Sequence, residues 1–135
     1  MNSEFNIVDL NYFSLYIKDY DKAVDFYTSV FGEAETITED ESLHGWKMGR
    51  TWLTIFPSKI GVDPDNNPRN AEFAIQVSSP EEVDVLYAKL VEAGAEAGWE
   101  PKDTWMYEPM RFCYVDDPFG IRIDIICPLP DNQDD

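Results

Sequence analysis

The stretch Tyr12-Phe-Ser-Leu-Tyr-Ile17 alternates two kinds of side chain, and Glu72-Phe-Ala-Ile-Gln-Val77 does so again 60 residues further on. A strand sends successive side chains to opposite faces, so Phe13, Leu15 and Ile17 share one face and Tyr12, Ser14 and Tyr16 the other. The later stretch divides in the same way, with Phe73, Ile75 and Val77 opposite Glu72, Ala74 and Gln76. Each has one face suited to a packed helix and a wetter face left for another use.

A helical pattern follows each stretch. After the first, Ala23, Phe26, Tyr27 and Val30 form an apolar stripe that begins after Asp19 or Asp21 and ends at Gly32. After the second, Ser79-Pro80-Glu81-Glu82 offers an N-cap serine, a proline at the first helical position and a capping-box glutamate. Val83, Leu86, Tyr87, Leu90 and Val91 then recur at helical spacing, and Gly94 supplies a left-handed C-terminal cap. Further strands are predicted around 35–38, 45–48 and 52–56, then around 95–100, 111–115 and 121–127. The chain therefore reads strand–helix–strand–strand–strand twice, an internal repeat. The second half carries an extra stretch, Pro101 to Pro109. One domain over 1–135 is expected, with modules at about 8–57 and 71–129. A linker at 58–70 contains Gly61, Pro64 and Pro68, and a polar tail covers 130–135.

Charge narrows the partners. Against 27 acidic residues there are 10 basic ones, a formal charge of −17, yet aromatic residues make up 14%. A disordered acidic chain would lack those aromatics, so the chain is expected to fold. So negative a protein suits neither nucleic acid nor an anionic membrane surface, both of which need Lys and Arg. No apolar run approaches the ~20 residues of a membrane span, and Met1-Asn-Ser-Glu-Phe5 shows no secretory signal. Cys113 and Cys127 sit in apolar strand-like runs and read as reduced core residues, which together predict a cytoplasmic protein.

Several motifs now combine. Phe13-Ser-Leu-Tyr-Ile-Lys-Asp19, Ala23-Val-Asp-Phe-Tyr27 and Val30-Phe-Gly32 resemble the opening of a vicinal oxygen chelate protein, of the glyoxalase, bleomycin-resistance and extradiol-dioxygenase superfamily. Arg111-Phe-Cys-Tyr-Val-Asp-Asp-Pro-Phe-Gly120 and Ile121-Arg-Ile-Asp-Ile125 are similar to that family's Asp-Pro-x-Gly turn and closing strand, and Pro101-Lys-Asp-Thr-Trp105 to a segment often found before that turn. The resemblance covers roughly residues 8 to 129. It implies an α+β fold of two βαβββ modules, forming a curled mixed sheet with an open cleft and helices outside, and commonly a homodimer. Tyr12, Ser14, Tyr16, Glu72, Ala74 and Gln76 would then face the cleft.

The same resemblance raises the question of a metal. Family enzymes typically hold a divalent ion, and the family's ligand positions fall here on Tyr12, Thr54, Glu72 and Asp124. Tyr12 and Glu72 stand where the family shows His, and Thr54 and Asp124 where it shows Glu. Zn²⁺, Ni²⁺ or Fe²⁺ generally want imidazole or thiolate. The one histidine, His44, lies before the third strand and reads as a loop or strand-edge residue. No metal or cofactor is therefore expected, a weak hard-cation site at Glu72 and Asp124 being the alternative.

Metal-free members of the superfamily dock drugs in grooves of aromatics and acids. Tyr12, Tyr16, Trp52 and Phe56 on predicted cleft faces, with Trp46 and Trp105 nearby, suit stacking on a planar compound. Glu72 and Asp124 would favour a cationic one. Arg122, two residues before Asp124 on the same strand face, either pairs with that carboxylate or holds an anionic ligand. The leading expectation is a protein that binds or sequesters an aromatic, cationic small molecule. The alternative is a lyase, isomerase or dioxygenase with a divergent or hard-metal carboxylate site. Glu72 and Asp124 working as a metal-free acid–base pair stays open, and Cys113 has no partner that would make it a nucleophile.

Overall fold

The computed structural model describes residues 4, 6–58, 71–105 and 108–130. Backbone contacts divide the chain into two compact units, Met1–Gly61 and Val62–Asp135. The linker expected at 58–70 lies, beyond Ser58, outside the described residues, as does the tail beyond Pro130.

The first unit contains β1 (Tyr12–Ile17), α1 (Tyr20–Phe31), β2 (Thr36–Ile37), β3 (His44–Met48) and β4 (Thr51–Pro57). Its sheet runs β1-β4-β3-β2, with β1 parallel to β4 and the other pairs antiparallel. The apolar face of the alternation packs under the helix: Leu15, Ile17, Leu53 and Ile55 are buried, together with Ala23, Phe26, Tyr27 and Val30 of α1. Asp19 precedes α1 without a side-chain capping bond. Gly32 closes it at φ +86°, a conformation that L side chains rarely adopt.

His44 is the first residue of β3, and it is buried. Its Nδ1 lies 2.6 Å from the Tyr20 hydroxyl, and its ring stacks 6.2 Å from Trp46. Burial, reinforced by the charges of Asp21, Asp40 and Glu41, pushes the Tyr20 hydroxyl up to about 12. The sole imidazole therefore works on the helix side of its sheet.

The second unit contains β5 (Ala71–Gln76), α2 (Pro80–Glu92), β6 (Glu96–Ala97), β7 (Lys102–Trp105), β8 (Pro109–Asp116) and β9 (Ile121–Pro128). Its sheet runs β5-β9-β8-β6, with β5 parallel to β9 and with β7 also paired to β8. Each unit is thus a mixed sheet with one helix, and the extra stretch of the second half forms the strand β7. Ser79 caps α2, its hydroxyl accepting from the Glu82 amide at 3.4 Å, while Glu82 Oε2 accepts from the Ser78 hydroxyl at 2.6 Å. Val83 and Leu90 of α2 are fully buried, as are Val115, Ile121, Ile123 and Ile125 of the sheet. Arg111 ties helix to sheet, donating to Asp84 at 2.8 Å and to Asp103 at 2.9 Å. The Asp117-Pro-Phe-Gly120 turn is held by Asp117 Oδ1, which accepts from the amides of Phe119 and Ile121 at 2.8 and 2.9 Å.

Cys113 and Cys127 are both buried free thiols. Burial, with the charges of Asp84 and Asp124 behind it, pushes Cys113 up to about 12, so it stays a thiol and packs as an apolar side chain. No helix among the described residues is long and apolar enough to cross a membrane.

Candidate functional site

On the first unit, the sheet face turned away from α1 is ordered in rows. Strand register sets Tyr12 beside Trp52, Ser14 beside Thr54 and Tyr16 beside Phe56. Thr54 continues the middle row to Gly45 and Thr36, and Trp52 continues the first row to Lys47. Rows two residues apart along a strand are separated by ~6.6 Å. The middle row is low and hydroxyl-rich, and aromatic rows flank it on both sides. Ser14 Oγ lies 2.6 Å from Thr54 Oγ1, which also donates to the Phe13 carbonyl at 3.3 Å. Tyr16 and Phe56 stack at 5.2 Å and 15°. Tyr12 and Tyr16 remain 59% and 57% exposed, unusual for two aromatics one row apart from a shared floor. Gly45 keeps that floor low: a Cβ there would come within 2.8 Å of Thr36 Cγ2.

On the second unit, the face turned away from α2 carries charge. Glu72 pairs in register with Arg122, and Ala74 with Asp124. Tyr114 and Asp116 of β8 flank Asp124 and Arg122 from the other side. Arg122 donates to both oxygens of Asp116, at 2.8 and 3.2 Å, and lies 4.1 Å above the Tyr114 ring. Asp124 is partly buried, and its Oδ1 is enclosed without a hydrogen-bond partner. Burial is the first cause that pushes its carboxyl up to about 7, followed by hydrogen bonding to Glu72 and repulsion from that carboxylate; Arg122 pulls the other way. Met110, Phe112 and Ile126 form a buried cluster on this same face, with Tyr114 packed against it.

Ten of the expected cleft residues thus lie on the two faces turned away from the helices, where their register puts them. Gln76 is one of them, exposed at the end of β5. Two others do not. Trp46 pairs with Leu53 on the helix side, is 1% exposed, packs 5.9 Å from Tyr27 and donates its Nε1–H to the Gly32 carbonyl at 2.8 Å. It is a core residue, because pairing with the buried Leu53 puts it on the helix-side face of β3. Trp105 pairs with Pro109, in step with Asp103 and Arg111, and so lies on the helix-side register of β7, 64% exposed. The tryptophan that takes its place is Trp99, 5.9 Å from Phe112 and 6.0 Å from Tyr114, with Lys102 Nζ 3.7 Å above its ring. Phe112 and Tyr114 alternate with Cys113 along β8, and that alternation was the signal available for finding them.

The donor set does not fit a transition-metal centre. Neither face offers an imidazole or thiolate among the described residues, since His44, Cys113 and Cys127 are buried in the cores. Thr54 is engaged by Ser14 and Phe13. No three His, Cys, Asp or Glu side chains group as ligands among the described residues. Asp124 is held towards its neutral form, and two carboxyl groups fall well short of the 6–8 oxygen ligands that Ca²⁺ takes.

Comparison with known proteins places the chain. Over 89 residues, 64% of this chain, it is 30% identical to the metallothiol transferase FosB of Shouchella clausii. The match spans 58% of that relative's length. Among solved structures, a glyoxalase/bleomycin resistance protein/dioxygenase from Nocardioides superposes with a TM-score of 0.70 at 20% identity, covering 93% of this chain and 86% of the other. A glyoxalase-related enzyme from Fulvimarina pelagi gives a TM-score of 0.70 at 20% identity, with 90% and 88% covered. At such identities these two structures speak for the fold. Residues 9–125 match the family described as Glyoxalase/Bleomycin resistance protein/Dioxygenase superfamily, and the chain belongs to that superfamily.

Proposed function

We propose that this member of the superfamily is a small-molecule binding protein that holds a planar aromatic compound without a transition metal. One observation carries the reading: two aromatic rows, Tyr12–Trp52 and Tyr16–Phe56, stand on either side of the Ser14–Thr54 row, and both tyrosines are left exposed. A flat ring laid over that row would stack on the aromatics and meet hydroxyls beneath, each stacking contact contributing about 0.5–1.5 kcal/mol. The case for a cationic compound is weaker. Its attraction was to come from Glu72 and Asp124, but Asp124 tends towards its neutral form and Arg122 lies beside it. Titration with naphthyl and indolyl compounds, read by tryptophan fluorescence, tests the proposal. Saturable quenching at micromolar concentrations supports it, and a flat response across the panel overturns it.

A second reading has one specific support, the similarity to a protein named as a metallothiol transferase. It makes the chain a metal-dependent enzyme of the superfamily. Stoichiometric Mn²⁺, Ni²⁺ or Mg²⁺ that raises Tm, and is lost in Glu72→Ala or Asp124→Ala, would favour it over the first. Because dimers are common in this superfamily, a homodimer belongs to the proposal too, and light scattering of the eluted protein measures it directly.

A further inference from the structure

The placement of basic side chains on these faces goes beyond the proposed function, and rests on it. Of the chain's 10 Lys and Arg residues, three stand on aromatic rings of the two faces: Lys47 on Trp52 at 5.0 Å, Lys102 on Trp99 at 3.7 Å and Arg122 on Tyr114 at 4.1 Å. Arg122 is also bound by Asp116. Lys47 is different. It is exposed, no carboxylate pairs with its ammonium among the ion pairs of the described residues, the Glu35 carboxylate beside it accepts from the Lys47 backbone amide, and the rows Tyr12–Trp52, Ser14–Thr54–Gly45 and Tyr16–Phe56 carry no acidic side chain. In a protein of charge −17, the rows of this face therefore hold a single cation, and the Glu35 carboxylate at their edge is taken by a backbone amide.

We infer that this face selects aromatic anions, with Lys47 as the specificity-determining residue: the ring stacks in the Trp52 row and the ligand's carboxylate or other acid group takes the Lys47 ammonium. The indole face of Trp52 is already the seat of a cation. A cationic ligand entering there must displace Lys47 and then sit beside it, a like-charge contact. An anionic ligand gives the displaced ammonium a better partner than the ring it leaves. The protein's overall negative charge does not reverse this order at physiological salt, where charges more than about 8 Å away are largely screened. A contact between one exposed ammonium and one acid group gives roughly a fivefold preference.

The probes are three bicyclic compounds of matched shape: 2-naphthoate, 2-naphthalenemethanol and 2-naphthylmethylammonium. Each is titrated into the full chain at 0.15 M salt, with Trp52 indole N–H shifts in two-dimensional NMR reporting the location. The expected order of affinity is naphthoate, then the alcohol, then the ammonium, with roughly fivefold between first and second. Lys47→Gln is expected to remove the preference, leaving naphthoate and the alcohol with equal affinities, and Lys102→Gln to leave both as in wild type. Lys47 is exposed on a strand, so folding of its variant is checked by circular dichroism alone. Equal affinities, an order led by the ammonium, or an intact preference in Lys47→Gln would overturn the anion assignment while the binding reading stands. If none of the three moves the Trp52 resonance, the binding reading itself fails.

Discussion

The two units share a path and differ in what they do with half of it. In each, the first strand lies parallel to the last, a helix follows the first strand, and the remaining strands pair antiparallel. In each, an apolar core is buried against the helix, with Leu15, Ile17, Leu53 and Ile55 in the first unit and Val115, Ile121, Ile123 and Ile125 in the second. On the other face they part. The first unit presents aromatics and hydroxyls in open rows with one lysine. The second presents Glu72, Asp124, Arg122 and Asp116, and it packs its own aromatics together as Trp99, Phe112 and Tyr114. The helix-side face is held by burial, where the loss of a large side chain costs several kcal/mol. Outside the Met110, Phe112 and Ile126 cluster of the second unit, the other face is less constrained by burial, so it is freer to differ between the units.

The largest effect should separate two tryptophans that look alike in sequence. Trp46→Ala removes a fully buried side chain and its bond to the Gly32 carbonyl, and about 3–5 kcal/mol of stability should be lost in urea denaturation. Trp105→Ala, on an exposed edge of the second unit, should stay within about 0.5 kcal/mol. Equal losses would mean that helix-side packing is not what the repeat preserves.

Next comes Gly98→Ala. A Cβ at Gly98 would run into the Tyr114 ring, which also carries Arg122 on its face. Pushing that ring aside should cost about 1–3 kcal/mol. The corresponding test in the first unit is Gly45→Ala, where the Cβ meets the threonine methyls of Thr36 at 2.8 Å and Thr54 at 3.3 Å. A smaller loss is expected there, and the reverse order would show the first floor to be the tighter one.

Asp124 gives a pH signature that the first face, with no carboxylate in its rows, should lack. The folded carboxyl is raised to about 7, against about 3.9 in an unfolded chain. Below pH 4 both states hold the proton. As pH rises from about 4 to 7 the unfolded state releases it while the folded state keeps it, so this group's contribution to stability falls across that window. Asp124→Asn should therefore be more stable than wild type at pH 7.5, by about 1–2 kcal/mol after allowance for solvent screening, and the gain should shrink towards pH 4. Glu72→Gln should move the Asp124 titration, followed by carboxyl NMR, towards lower pH. An unmoved midpoint would leave burial, with the Asp116 charge, as the cause.

The smallest effect contrasts the helices. Ser79→Ala removes the side-chain cap of α2 and should cost about 1 kcal/mol. Asp19→Ala removes a residue that makes no capping bond at α1 and should change Tm by less.

The repeat, both helices and the helix-facing residues were legible in the sequence because burial writes a period into it. Phe13, Leu15 and Ile17 alternate, and Ala23, Phe26, Tyr27 and Val30 recur at helical spacing. The register between strands was not legible, since pairing partners are set by the whole sheet rather than by either segment. That is why Trp46 and Trp105 were expected among the cleft residues while Trp99 and Tyr114 were passed over. A pairing shifted by one residue would turn Trp46 from one face to the other. The burial of His44 was hidden for the same reason, because its strand begins one residue earlier than its pattern suggests. The state of Asp124 depends on Glu72, 52 positions away in the sequence, and no local pattern carries such a pairing.

The most direct trial of the aromatic face is a fluorescence titration of wild type and Trp52→Phe with 2-naphthalenemethanol, chosen because it is uncharged. Saturable quenching in wild type, with most of its amplitude lost in Trp52→Phe while circular dichroism stays unchanged, is the expected result. Quenching of equal amplitude in both proteins would place the ligand elsewhere and contradict a binding site on the Tyr12–Trp52 and Tyr16–Phe56 rows.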